Sequence, residues 1–155
     1  MKYWLVKSEP EVFSFEDLKG CKDQTTFWDG VRNYQARNYL RDEMKKGDQV
    51  LFYHSNADPL AVMGICKVVK EGYPDHTQFD IDSHHYDIKA DPKNPAWFMI
   101  DIKFVKEFKT PVTLQEIKSN PKLKKMQLVA RGNRLSVMPV KKEEFDEIVK
   151  MGQRK

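Results

Sequence analysis

Residues 28 to 37, WDGVRNYQAR, crowd Trp28, Arg32, Asn33, Tyr34, Gln35 and Arg37 around what reads as the start of a helix. These residue types suit nucleic acid. A tryptophan can stack on a base, and an asparagine or glutamine carries the paired donor and acceptor that read a base edge. The free backbone N–H groups of a helix start attract phosphate. Arg37, Arg41 and Lys45 then recur at four-residue steps as a basic stripe. Plain packing is the competing reading, with Trp28 and Tyr34 in the core and the arginines merely solvated. Spacing alone leaves both open.

Lys7-Ser8-Glu9-Pro10 forms a second group. A lysine and a glutamate flanking a serine at a strand end could hydrogen-bond a ligand or exchange protons with it. A surface turn set by Pro10 explains the same residues. Further on, FYHS places Phe52 and His54 on one strand face and Tyr53 and Ser55 on the other. His54 with Ser55 or Ser8 would supply base and nucleophile. No GxSxG elbow is present, however, and no acid is spaced to orient the imidazole. A hydrogen-bonded structural histidine is therefore expected. His76, His84 and His85 lie among Asp75, Asp80, Asp82 and Asp87, types that ligate divalent metals. Their spacing matches neither HExxH nor an EF-hand, so a polar loop without metal is expected. The seven glycines form neither GxxxxGK[ST] nor GxGxxG, which disfavours nucleotide-triphosphate and dinucleotide enzymes. No cofactor is expected.

The elements that must position these groups follow from periodicity. KYWLVK (2–7) reads as a first strand ended by Pro10. Ser14, with Asp17 three residues on, caps a short turn through Leu18 that Gly20 closes. Residues 31–46 read as the longest internal helix: Ala36, Leu40 and Met44 line one face, Asp29 caps it and Gly47 terminates it. QVLFYHS (49–55) and LAVMGICKVV (60–69) form a hairpin, with Gly64 a bulge or point of close approach. Residues 71–96 read as a long polar excursion. Alternation returns over 97–108, with Phe98, Ile100, Ile102 and Phe104 on one face. Thr113 and Glu116 form a capping box, 134–138 a closing strand, and 143–151 a final helix burying Phe145, Ile148 and Val149. Strands and helices that do not alternate regularly predict an α+β, barrel-like domain with a long inserted loop.

The chain has 155 residues, enough for one domain of ordinary size but not for a two-domain dehydrogenase or a (β/α)8 barrel. Its net charge of +4 conceals a polarity. Residues 71–101 hold two lysines against seven acids, net −5, whereas 103–134 hold nine basic residues against two acids, net +7. A solvated surface accounts for this. So does a phosphate-contacting face with an acidic flank. Cys21 and Cys66 are isolated, which points to a reducing compartment. The apolar run Tyr3 to Val6 is too short for a signal peptide, and no stretch reaches the ~18 apolar residues of a membrane span. A soluble intracellular protein is expected.

Taken in order, YWLVKSEP (3–10), FWDGVRNYQARNYLR (27–41), GDQVLFYHSN (47–56), YPDHTQFD (73–80) and NRLSVMPV (133–140) resemble the EVE domain almost end to end. The resemblance implies a single EVE domain over residues 1–155. It implies the PUA-like fold, a small β-barrel with peripheral helices, related to YTH and ASCH domains. It also implies a non-enzymatic reader that accommodates a flipped, modified nucleobase, with modified cytosines in DNA ahead of RNA. The implied base pocket draws on Lys7, Ser8, Glu9, Trp28, Asn33, Tyr53, His54, Ser55, Tyr73, Pro74, Arg134, Leu135 and Ser136. Arg32, Arg37, Arg41, Lys45, Lys124 and Lys125 would hold the phosphate backbone. Nucleic acid carrying a modified base is thus the expected partner, with no membrane and no metal. Cytoplasmic residence is expected in a bacterium and nuclear residence in a eukaryote. The alternative is a small amidohydrolase of acylated nucleosides, as among ASCH domains, with Lys7 and Glu9 as acid and base. That rests on fold analogy.

Overall fold

A computed structural model describes residues 1–154. Its frame is one six-stranded mixed sheet. The strands are β1 (Tyr3–Ser8), β2 (Thr25–Phe27), β3 (Gln49–His54), β4 (Ala61–Pro74), β5 (Phe98–Thr113) and β6 (Val137–Val140), in spatial order β2-β5-β4-β3-β1-β6. β1 runs parallel to β3, and the other neighbours are antiparallel. The α+β architecture is as expected, but the barrel stays open. Its end strands, β2 and β6, have only three and four residues and are not paired with each other among the described residues.

Among the described residues four α-helices accompany this sheet: α1 (Phe15–Lys19), α2 (Tyr34–Asn38), α3 (Leu114–Ser119) and α4 (Lys142–Gly152). Two have the caps the sequence predicts. The Ser14 hydroxyl accepts from Asp17 N while Asp17 accepts from Ser14 N, and Thr113 and Glu116 repeat the arrangement. α4 buries Phe145 and Ile148, with Val149 half-buried. In β1, Trp4, Leu5 and Val6 are all buried, because the strand lies inside the sheet with both faces covered. Trp4 Nε1 donates to buried Asp48 at 3.0 Å, and Asp48 also accepts from Lys2 N and Lys45 N.

Three elements differ from the sequence reading. The helix predicted over 31–46 starts only at Tyr34, because Asn33 and not Asp29 caps it, accepting from Ala36 N at 3.0 Å. It also widens into a π turn over Tyr39–Glu43. Ala36, Leu40 and Met44 are nevertheless all buried. Their four-residue spacing outruns 3.6 residues per turn, and the wider turn keeps Met44 on the buried face. The closing strand begins at Val137, not Arg134, because Asn133 holds the preceding loop, donating to Gln127 O and accepting from Leu135 N. Finally, the excursion after residue 70 is ordered. β4 continues through Pro74, a 3-10 turn spans His76–Phe79, and Asp75, Thr77 and Gln78 are buried. The Gln78 amide satisfies the backbone there, donating to Asp75 O and Trp97 O and accepting from Trp97 N.

Candidate functional site

A cavity of about 560 Å³ opens where the end of β1 meets the segment leaving β2. Lys7, Ser8 and Glu9 form one side, Thr26 to Val31 another, and Val12, Phe13, Ser136 and His85 complete the lining. A volume of that order suits a small organic ligand. The sheet fixes the first side: Lys7 pairs with Tyr53 and Ser8 with His54 in the parallel register, and Lys7 N donates to Ser136 O at 2.9 Å. The second side is fixed by Trp28 N donating to Ile100 O at 2.7 Å.

The polar groups on the first side are pre-positioned. Ser8 Oγ donates to Phe13 O at 2.6 Å, leaving its lone pairs free to accept. Glu9 Oε1 accepts from Asn56 Nδ2 at 3.0 Å, and Oε2 carries no hydrogen bond among the described residues. Lys7 has no ion-pair partner among the described residues, its Nζ lies 5.8 Å from the Tyr53 ring centre, and burial pushes its pKa below the usual lysine range. Trp28 is mostly core, at 8% exposure. It meets Phe52 and Phe13 edge-on, with ring centres 5.5 and 6.3 Å apart, and shows only a fringe to the cavity. Packing against those rings thus accounts for most of the Trp28 surface.

A partly buried ion pair stands behind the second side. Asp75 accepts from Gly30 N at 2.8 Å and from Arg32 Nη1 at 3.0 Å, and Thr77 N donates to it at 2.8 Å. Burial alone would raise its pKa. The hydrogen bonds from Thr77, Gly30 and Arg32 and the nearby guanidinium charge outweigh that and hold it below the usual carboxylate range. All three Arg32 nitrogens are engaged: Nε and Nη2 donate to His85 O, Nη1 to Val31 O and Asp75, and Nη2 also to Thr77 Oγ1. Arg32 braces the cavity wall, and its hydrogen-bonding capacity is consumed inside the molecule.

Of the residues that the resemblance implies for the pocket, the cavity brings together Lys7, Ser8, Glu9, Trp28 and Ser136. Asn33, Arg134 and Leu135 line a separate, adjacent cleft with Gln35 and Arg131. Tyr53 is buried, which pushes its hydroxyl up to about 12. Ser55 follows β3, where its N donates to Ser8 O at 3.0 Å. Tyr73 and Pro74 pair with Met99 and Phe98 at the far end of β4, and the Tyr73 hydroxyl donates to Asp101. Neither lines the cavity. Among the basic residues, Arg37 donates to Ala96 O and Asn38, Arg41 is paired with Asp42, and Lys45 lies 3.9 Å from Glu71. Lys124 and Lys125 are exposed.

His54 is structural. Burial lowers its pKa, and its Nε2 accepts from Phe15 N at 3.0 Å, which requires the neutral ring. The unfolded chain therefore binds the extra proton more readily. Stability from this group should be complete above the ordinary histidine value of about 6.5 and fall as the pH drops toward the lowered one. Urea unfolding at pH 7.5 and 5.5 checks this: His54→Gln should show a smaller loss between the two pH values than the parent. An equal loss would place the proton uptake elsewhere.

Sequence reasoning missed His85, Gly30 and Asp75. His85 sits in a stretch read as polar loop, and it reaches the cavity through contacts distant in sequence, such as its carbonyl bond to Arg32, 53 positions away. The Asp-Gly pair at 29–30 was a usable signal for a turn. No cluster of three or more metal-ligating side chains occurs among the described residues, and no described helix is long and apolar enough to cross a membrane.

The profile described as "EVE domain" matches residues 2–151. Thymocyte nuclear protein 1 of Gallus gallus is 48% identical over 170 aligned positions, covering 99% of this chain and 69% of that protein. The Homo sapiens protein of the same name is 46% identical, with 96% and 73% covered. A crystal structure of the human THYN1 protein in complex with 5-methylcytosine-containing DNA superposes with a TM-score of 0.94 at 45% identity, covering 100% of this chain and 99% of that one. A Pseudomonas syringae protein follows at 0.92 and 46%, with 97% and 99% covered. An ASCH protein of Zymomonas mobilis, at 0.54 and 11%, shares the fold alone. End-to-end similarity in sequence, backbone and motif order places the chain in one family: it belongs to the EVE domain proteins.

Proposed function

We propose that this protein is a non-enzymatic reader of modified DNA, acting as one EVE domain that receives a flipped modified cytosine in the cavity beside β1. The observation carrying this reading is the near-complete structural likeness to a human protein solved with 5-methylcytosine-containing DNA. The chemistry of the cavity supports it. An extruded base needs planar or apolar walls and partners for its Watson–Crick edge. Phe13, Phe27 and the fringe of Trp28 offer the walls. Glu9, with an uncommitted carboxylate oxygen, can accept from the cytosine N4 amino group. Ser8 can accept as well, and Lys7 can donate to the base carbonyl. Stacking is indifferent to base identity, so the polar groups and the cavity's shape carry selectivity. Lys124, Lys125, Arg131 and Arg134 are exposed and can meet phosphate.

Titration with duplexes carrying one 5-methylcytosine, 5-hydroxymethylcytosine or N6-methyladenine, beside an unmodified control, tests the reading. A modified-cytosine duplex should bind about tenfold or more tightly than the control, and Glu9→Gln or Lys7→Gln should each remove most of that preference. Indifference to modification would sink it. The lowered pKa of Lys7 favours a second reading, hydrolysis of an acylated cytidine. Incubation with N4-acetylcytidine decides it: turnover that Lys7→Ala abolishes would establish hydrolysis.

A further inference from the structure

We propose that His85, which rests on the base-reading function above, is a base-contacting residue of the cavity, delivered there by the Asp75–Arg32 pair. Nothing in the motifs of the sequence assigns it this role. Three observations place it. It lines the same cavity as Lys7, Ser8 and Glu9. Its ring is seated on Gly30: a Cβ built on that glycine would lie 2.6 Å from His85 Cε1 and Nε2. Its main chain is clamped, because Arg32 donates to His85 O at 2.7 and 3.2 Å while His85 N donates to Ser83 Oγ at 3.1 Å.

Asp75 joins the two sides of this contact. It is fully buried and accepts from both Gly30 N and Arg32, so one carboxylate sets the turn beneath the imidazole and the guanidinium that holds its backbone. The excursion after residue 70 also folds back at a second point, where His76 meets the Phe27 ring edge-on with centres 5.0 Å apart. The acidic segment is thus a wall of the site. An imidazole presents two ring nitrogens, one able to donate and one able to accept. It therefore complements the mixed donor and acceptor edge of a base, which an all-donor cation such as Lys7 does not.

Binding of His85→Ala, His85→Gln and Gly30→Ala to the 5-methylcytosine duplex should be measured beside the same duplex with an abasic site at that position, with melting temperatures recorded. His85→Ala should bind the modified duplex about tenfold more weakly, leave the abasic duplex unaffected, and melt like the parent. His85→Gln, which keeps a donor and an acceptor, should recover most of the loss. Gly30→Ala should reproduce the weakening by displacing the ring, and the double variant should bind no worse than the weaker single one. Equal loss on the modified and abasic duplexes would mean a backbone contact and overturn the assignment, as would unchanged binding by His85→Ala. If the parent itself ignores the modification, the base-reading function falls and this inference with it.

Discussion

Replacing Asp75 by alanine should lower the unfolding free energy by about 3–5 kcal/mol, read as a fall in the urea midpoint at unchanged slope. The carboxylate is fully buried, and four groups depend on it: the Arg32 guanidinium, Gly30 N, Thr77 N and the Thr77 hydroxyl. Truncation leaves a guanidinium with 23% of its surface exposed and no carboxylate, along with backbone donors that lose their acceptor. The partial exposure of Arg32 lets water recover some of this, which favours the lower end of the range. Against a total stability of roughly 5–15 kcal/mol for an ordinary domain, even that end is a large fraction. Acid should reproduce the effect in the parent. The folded pKa of Asp75 is depressed, so its contribution is complete above the ordinary value of about 3.9 and lost as the pH falls through the lowered one. An Asp75→Ala protein as stable as the parent would show that the pair contributes nothing net. A stable variant that had also lost DNA binding would confine Asp75 to shaping the cavity.

The reach of the sequence can be argued from such residues. Two caps were legible because they are local: Ser14 and Thr113 each find their partner three positions along the chain, whereas the cap expected at Asp29 falls at Asn33. The buried face of Ala36, Leu40 and Met44 was legible because burial imposes a period, even though one π turn changes that period within the helix. Half of the candidate cavity was legible in the same way, since Lys7, Ser8 and Glu9 are contiguous and Trp28 sits beside a turn. The other half was not. Asp75 and His85 act through bonds to residues 43 to 53 positions away, and their neighbourhood is so acidic and polar that composition argues for solvent. Asn33 shows the converse hazard. An amide beside arginines fits base recognition, but its oxygen is taken by Ala36 N as a helix cap. The wider distribution of charge shows the same division: a basic segment with exposed lysines such as Lys124 and Lys125, and an acidic one whose key carboxylate is turned inward.

Gly64→Ala should cost about 3 kcal/mol, at the upper end for overpacking in a core. The position lies where β4 changes register against both neighbours, between Phe52 and Tyr53 on the β3 side and, within β4, between Val62 and Gly64 on the β5 side. A methyl group there would stand 2.3 Å from Lys106 O and 2.6 Å from the Phe15 ring. The first contact is with backbone, so no side-chain rotation relieves it. Two strands in the middle of the sheet would have to part. The second contact offers little relief, because Phe15 is fixed on both sides by Phe52 and Phe104, with ring centres 5.1 and 5.2 Å away. Its backbone N also donates to His54, so displacing Phe15 would open the bond that keeps that imidazole neutral. Gly20→Ala is the matched control. A Cβ there meets nothing closer than 3.6 Å and the backbone is helical, so its unfolding free energy should stay within about 0.5 kcal/mol of the parent. Comparing the two by urea denaturation isolates the steric effect from the lost flexibility of glycine, since both variants give up the same backbone freedom in the unfolded chain. If Gly64→Ala were as stable as Gly20→Ala, β4 and β5 would have to approach less closely than this register places them.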